Sequence, residues 1–511
     1  MQRSRTLSLT LLSLLFALPV FAGAGADDEI IKEFKKYFKK YKETATRVEA
    51  ILSLEDVEST KVVSALVPIL KDPESEVVDA AVRVLGGFES RPPVDAMLAK
   101  LEGDKNEVIR IGLLRSLTAG GYADTSEAVL ICLTDKNWDV RRRATQAVAA
   151  IGKPELDMHL LPLVGDKESA VRCAAFEGLT ALRSEKVLAP ARISLGDSEW
   201  RVRATAIAAL GSIRHRDSIE PLINRFKVEE GRLREDIAGA LEELTGRGFG
   251  QRIELWERFW ENYKATYEIP TDQALKDLRS KQKARQAEYK PEGATTFVGV
   301  DTPSRSILFV IDVSGSMENH IVEKERFEDG DYPSYSRMDI VKTELLRTVE
   351  NLEPYVKFNI LKFATDVKPW KKKLVSANVL NKSSAVDWCK RLEPIGGASK
   401  GDLARAGLVG AANLGAGKTN TYGALAEALG LTKKGATKNY EKLEVDTIFF
   451  LSDGQPTHGD FVDKDDILRE INGANQLRKV AIHTIAIGEF QRTLMKRLAE
   501  ANGGVFVDLG R

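Results

Sequence analysis

Residues 306–316, SILFVIDVSGS, decide how the C-terminal part of the chain folds. Ile307 to Ile311 run apolar without a break, and the run ends on Asp312. A strand with one wet face alternates polar and apolar residues, so an unbroken run predicts a parallel strand covered on both faces. Asp312 then opens a turn, Asp312-Val313-Ser314-Gly315-Ser316, in which the oxygen-bearing side chains alternate. In an extended turn these three oxygens point the same way, and Gly315 lets the backbone bend tightly around them.

Comparable apolar runs follow: VKFNILKFA (356–364), VDTIFFLSD (445–453), AIHTIAIG (481–488) and GVFVDL (504–509). Helical segments lie between them, at 337–352, 422–433, 464–480 and 491–502. This alternation predicts an open, doubly wound (Rossmann-like) α/β sheet over residues 301–511. Ligands of such sheets bind at the carboxyl ends of the strands. Two aspartates stand at that edge, Asp312 and the Asp453 of Ser452-Asp453-Gly454. A third loop, GKTNTYG (417–423), brings Thr419 and Thr421 just before a helix. The donors are all hard oxygens, with two carboxylates and neither sulfur nor imidazole. That set suits Mg²⁺, or Mn²⁺, held octahedrally with water in the remaining positions.

Together the DxSxS loop, the threonine loop and the late strand-ending aspartate resemble the von Willebrand factor type A (VWA) domain with its metal-ion-dependent adhesion site. The resemblance covers about 200 residues. It implies that Ser314 and Ser316 are direct metal ligands, Thr419 the switchable third, and Asp312 and Asp453 holders of bound waters. Thr421 competes for the hydroxyl role; the 34-residue step from Thr419 to Asp453 and the helix beginning after Tyr422 favour Thr419. In this family an acidic side chain of a protein partner completes the metal shell. One departure from the pattern is the segment 318–336, ENHIVEKERFEDGDYPSYS, inserted where the family passes quickly into the next helix. On the rim of the site it could recognise a partner, place Glu318, Glu328, Asp329 or Asp331 over the metal, or be a disordered surface insertion.

The N-terminal part carries internal repeats. A branched residue recurs at Val77, Val108, Val140, Val171, Val202 and Leu233, spaced by 31, 32, 31, 31 and 31. Four residues after each stands Ala81, Gly112, Ala144, Ala175, Ala206 or Ile237, mostly small, so that a neighbouring helix can come close. Asp72, Asp104, Asp135, Asp166 and Asp197 precede them, placed to cap the second helix of each unit. Segments such as DSEWRVRATAIAALGSI (197–213) resemble HEAT repeats, which implies an all-α solenoid over 27–250 with a long docking surface. Arg110, Arg141, Arg172, Arg203 and Arg234 read as partners of acidic turn residues in adjacent units rather than as a ligand stripe. Residues 251–300 read as a helical connector, with Trp256 and Trp260 closing the last repeat and Lys276 to Arg285 on a solvated helix.

Residues 1–26 have a positive start (Arg3, Arg5), an apolar core from Leu7 to Phe21 and small residues after it, the pattern of a cleaved secretory signal. The core falls short of the roughly 20 residues that span a bilayer, and no later run is long enough. The expectation is an exported protein, periplasmic or secreted, with no integral membrane segment.

Composition narrows the function. With 75 basic and 75 acidic residues, no basic surface for nucleic acid is indicated. Cys132, Cys173 and Cys389 are too few for a disulfide scaffold, and the five histidines form no metal-ligating pair. Gly415-Ala416-Gly417-Lys418-Thr419 resembles a P-loop, but the pattern needs a glycine at Ala412 and a preceding strand, so nucleotide is not expected. Trp388-Cys389 reads as core, and His458 as a surface residue. No nucleophile, base and orienting acid stand in motif spacing, so no enzyme activity is expected. The reading is a non-catalytic binding protein whose VWA domain holds Mg²⁺ and captures an exposed Asp or Glu of a protein partner. The competing reading is an assembly scaffold in which the solenoid binds and the metal is structural.

Overall fold

The computed structural model describes residues 26–122, 127–283, 295–324, 327, 330–396, 417–431, 440–488 and 492–509. Residues 1–25 of the expected signal segment 1–26, Arg285, Glu328, Asp329 and the Gly415-Ala416 pair lie outside the described residues. The chain forms two compact units, divided between Ser184 and Glu185.

Among the described residues the first unit is built from helices and the turns between them. Its repeats each end in a long second helix, at Ser75–Gly86, Glu107–Gly120, Trp138–Ile151 and Ser169–Ala181. Val77, Val140 and Val171 are fully buried, as are Ala81, Ala144 and Ala175 one turn on. Val108 breaks the series: it is 46% exposed, and its neighbour Ile109 fills the core position instead. The turn before the helix sets this phase. Asn106 caps the amides of Val108 and Ile109 as Asn137 caps those of Asp139 and Val140, which makes Ile109 the counterpart of Val140.

The turn aspartates act one step earlier than direct capping. Asp72, Asp104, Asp135 and Asp166 accept the backbone N–H of the residue two positions on, which is itself the N-cap (3.1, 2.8, 2.7 and 2.9 Å). In three of the four the remaining lone pairs take arginines from the preceding repeat, whereas Asp104 takes Lys100 at 3.0 Å. Arg47 meets Asp72, Arg110 meets Asp135, and Arg141 holds both oxygens of Asp166 at 2.7 Å. A bidentate, largely dehydrated pair of this kind fixes geometry better than an exposed one.

The second unit begins with more repeat helices, Trp200–Ser212 and Arg232–Thr245, on which Arg203 meets Glu229 at 2.9 Å. Trp256 and Trp260, on the helix Ile253–Tyr263, are buried and close these repeats; the Trp256 indole donates to Gly250 O at 3.0 Å. The helix Asp272–Lys283 follows, anchored by buried Leu275.

The α/β part opens with a two-stranded antiparallel ribbon, β1 (Thr295–Phe297) and β2 (Val300–Thr302). The main sheet contains β3 (Ser306–Asp312), β4 (Lys357–Phe363), β5 (Val367–Pro369), β6 (Val375–Ser376), β7 (Thr447–Ser452), β8 (Ala481–Ala486) and β9 (Phe506–Asp508). Its order is β5-β4-β3-β7-β8-β9, with β6 also paired to β4. The five principal strands are parallel, and only the short β5 and β6 run antiparallel on β4. From β3 the chain crosses to β4 on one side and later to β7 on the other. The β3–β7 seam is therefore where the topology reverses, and the crevice opens at its carboxyl end.

Both sheet faces are covered, which accounts for the unbroken apolar runs. Phe309, Ile311, Phe449 and Leu451 face one core, beside Ile340, Val341 and Leu345 of the helix Arg337–Asn351. Leu308, Val310, Ile448 and Phe450 face the other, beside the helices Thr421–Ala428, Lys464–Arg478 and Arg492–Ala501. Cys132, Cys173 and Cys389 are buried.

The inserted segment is pinned at its base. His320 bridges to Ser336, Ile321 N–H donates to Tyr335 O at 3.0 Å, and Arg337 N–H donates to Asn319 O at 2.9 Å. Ile321 and Phe327 are buried in the first core, and the Tyr332 hydroxyl donates to Glu344 at 2.9 Å. Asp331 is exposed.

Candidate functional site

Asp312 and Asp453 end up side by side because β3 and β7 are parallel neighbours in register, Ile311 against Leu451. Each strand finishes at the same edge, and each delivers its acid as the apolar run stops. Asp312 has no exposure and Asp453 only 2%. Two buried carboxylates this close repel, and water cannot screen them. Burial first, and then the Asp453 charge, push the Asp312 carboxyl up to about 7. Burial also raises Asp453, while Ser316 and Arg337 act to lower it.

The hydroxyls converge on these acids. Ser314 N–H donates to Asp312 Oδ1 at 2.8 Å, which closes the turn that begins at the strand end. Ser314 Oγ lies 3.2 Å from Ser316 Oγ, and the Ser316 hydroxyl donates to Asp453 Oδ1 at 2.7 Å. Thr419 arrives from the other side of the crevice. Its N–H donates to Thr457 Oγ1 at 2.9 Å, and its carbonyl accepts from Thr457 N–H at 3.0 Å. A Cβ built on Gly454 would stand 3.1 Å from Thr419 Oγ1 and 3.3 Å from Ser316 Oγ, so both hydroxyls face the same small space. Thr421 is buried in the first turn of the following helix, whose N-cap is Asn420. The structure thus brings together Asp312, Ser314, Ser316, Thr419 and Asp453. Exposed His458 donates its backbone N–H to Thr419 O at 3.3 Å.

Two further residues take part in the site. The Ser452 hydroxyl, on the last residue of β7, donates to Asp312 Oδ2 at 2.6 Å. Arg337 extends from the first residue of its helix and donates from Nη1 to Asp453 Oδ2 at 2.7 Å. The signal for Ser452 is its adjacency to Asp453. Arg337 offers none, because it stands 116 positions away.

Residues 330–508 match the von Willebrand factor type A domain. The match takes in Thr419 and Asp453 and begins after the Asp312–Ser316 loop. HEAT repeats match at 31–118, 94–170 and 157–242. Helical repeats followed by a VWA domain are therefore the architecture of this chain. Among curated proteins, inter-alpha-trypsin inhibitor heavy chain H1 of Mesocricetus auratus is 26% identical over 214 residues. Inter-alpha-trypsin inhibitor heavy chain 4 of Mus musculus is 23% identical over 209. These alignments take in 42% and 40% of this chain and only 18% of either relative. Among solved structures, the complex of CpcE and CpcF of phycocyanin lyase from Nostoc sp. aligns over 52% of this chain and 98% of that one. At 18% identity and a TM-score of 0.27 it carries no argument about activity.

Proposed function

We propose that this chain is an exported, non-catalytic binding protein whose VWA domain holds Mg²⁺ and captures an acidic side chain of a protein partner. The carrying observation is the convergence of two buried carboxylates and three hydroxyls on one crevice. The set fits a small hard cation by its chemistry, being oxygen throughout. Among the described residues no cluster of three or more His, Cys, Asp and Glu forms. The raised Asp312 and Asp453 describe carboxylates in want of positive charge, and the space beside Gly454 faces both Ser316 and Thr419. Ser314, Ser316 and Thr419 would ligate directly, with Asp312 and Asp453 holding the ion's waters. The bound ion supplies an open coordination position for a carboxylate. The repeats give a second docking surface.

Among the described residues no helix is long and apolar enough to cross a membrane. The test is capture of partners by the immobilised full chain in Mg²⁺ and in EDTA, with Asp312→Ala in parallel. Capture should need both Mg²⁺ and Asp312. If Asp312→Ala retains the same partners, metal-mediated binding is wrong, and the scaffold reading, with the repeats as the binding surface, replaces it.

A further inference from the structure

Arg337 has no place in the metal set just described, yet it is built into the site. Its side chain is 10% exposed and that of Asp453 not at all, and the two meet at 2.7 Å. Three features hold it there. Ser336 caps its helix by accepting the Asp339 N–H, so the side chain leaves from a fixed first turn. Its own N–H closes the base of the inserted segment on Asn319 O. Gly488 leaves it room: a Cβ there would stand 3.2 Å from Arg337 Cζ and 3.1 Å from Asp453 O. A buried guanidinium is kept only where its charge is compensated, and Arg337 Nε finds no hydrogen-bond partner among the described residues. This cation is held against the acid at some cost.

We infer that Arg337 sets the charge of the metal site, holding Asp453 in the metal-free protein and leaving the Mg²⁺-loaded site with net charge +1, so that it binds metal more weakly and an anionic ligand more strongly. The inference rests on the metal-binding reading above. With Asp312 and Asp453 ionised and Arg337 charged, the site carries −1; adding Mg²⁺ brings it to +1. Without Arg337 the loaded site would be neutral at the outset, and an incoming carboxylate would make it an anion in a dry crevice. Arg337 is thus a specificity-determining residue that acts on the metal through Asp453.

The test is calorimetric titration of Mg²⁺ into the full chain and its variants at pH 8. Arg337→Met removes the charge and should tighten Mg²⁺ about tenfold or more, the size expected for one nearby charge in a partly dry site. Arg337→Lys keeps the charge and should stay within about threefold of wild type. If Arg337→Met does not fold, Arg337→Gln, neutral but still able to donate to Asp453, serves for the same comparison. Acetate added with Mg²⁺ should strengthen metal binding in wild type more than in the neutral variant. A folded neutral variant that binds Mg²⁺ no more tightly than wild type overturns the inference. A wild-type chain that takes up no Mg²⁺ overturns the metal reading beneath it, a distinct failure visible before any variant is made.

Discussion

At Asp312 a carboxylate closes an apolar strand inside the protein, and the penalty for its charge is set by what surrounds it. Pushed up to about 7, it favours the metal-free fold most below about pH 4, where it is protonated folded and unfolded alike. That contribution is lost as pH rises through 7, when the folded protein must carry the charge. A divalent cation reverses the balance, so the thermal stabilisation by Mg²⁺ should be large at pH 8 and small at pH 5.5. A stabilisation equal at both would mean that Asp312 is not at the ion. The acid and hydroxyl positions were legible because each sits where an apolar run stops or a helix starts. Arg337 was not, since no local pattern distinguishes an arginine aimed at Asp453 from one on a wet helix face.

Elements follow their local patterns except where two residues of the same type compete for one place. Val108 and Ile109 are both branched, and periodicity alone accepts either; the cap at Asn106 decides for Ile109. Ile109→Ala should therefore cost about 2–5 kcal/mol by opening a cavity. Val108→Ala should stay within about 0.5 kcal/mol, as at any exposed position. Urea unfolding of the two variants measures both, and the reverse order would refute the phase. The strands β3, β7 and β8 were readable because both faces are buried and every residue but one at the start of β3 is inside. The β5 and β6 pairings were not: the stretch VKPWKKKLVS (367–376) has no apolar run, and β4 supplies the order that its own residues lack.

For the molecule as a whole, the boundary between repeats and α/β domain is less sharp than the change in sequence character. Arg201, 2% exposed on a repeat helix, donates to Arg478 O at 3.2 Å, Tyr440 O at 2.9 Å and Leu443 O at 3.0 Å. Arg232 does likewise toward Asp446 O and Lys479 O. These carbonyls lie just before β7 and β8, at the strand edge opposite the oxygen-lined crevice. The last repeats thus grip the sheet from behind and leave the acidic edge open. Arg201→Ala should lower the stability of this unit by about 2–5 kcal/mol, because several carbonyls lose a charged donor together. Denaturant unfolding of the full chain measures it, and a change under about 0.5 kcal/mol would show the grip to be incidental. Such contacts join residues more than 200 positions apart and leave no trace in composition or period. The oxygen-lined crevice is proposed as a Mg²⁺ site, and thermal unfolding at pH 8 with and without Mg²⁺ tests that proposal. Tm should rise by the equivalent of about 2.7 kcal/mol at a hundredfold excess over Kd, reversed by EDTA and absent from Asp312→Ala. An unchanged Tm in wild type, or the same rise in Asp312→Ala, would contradict it.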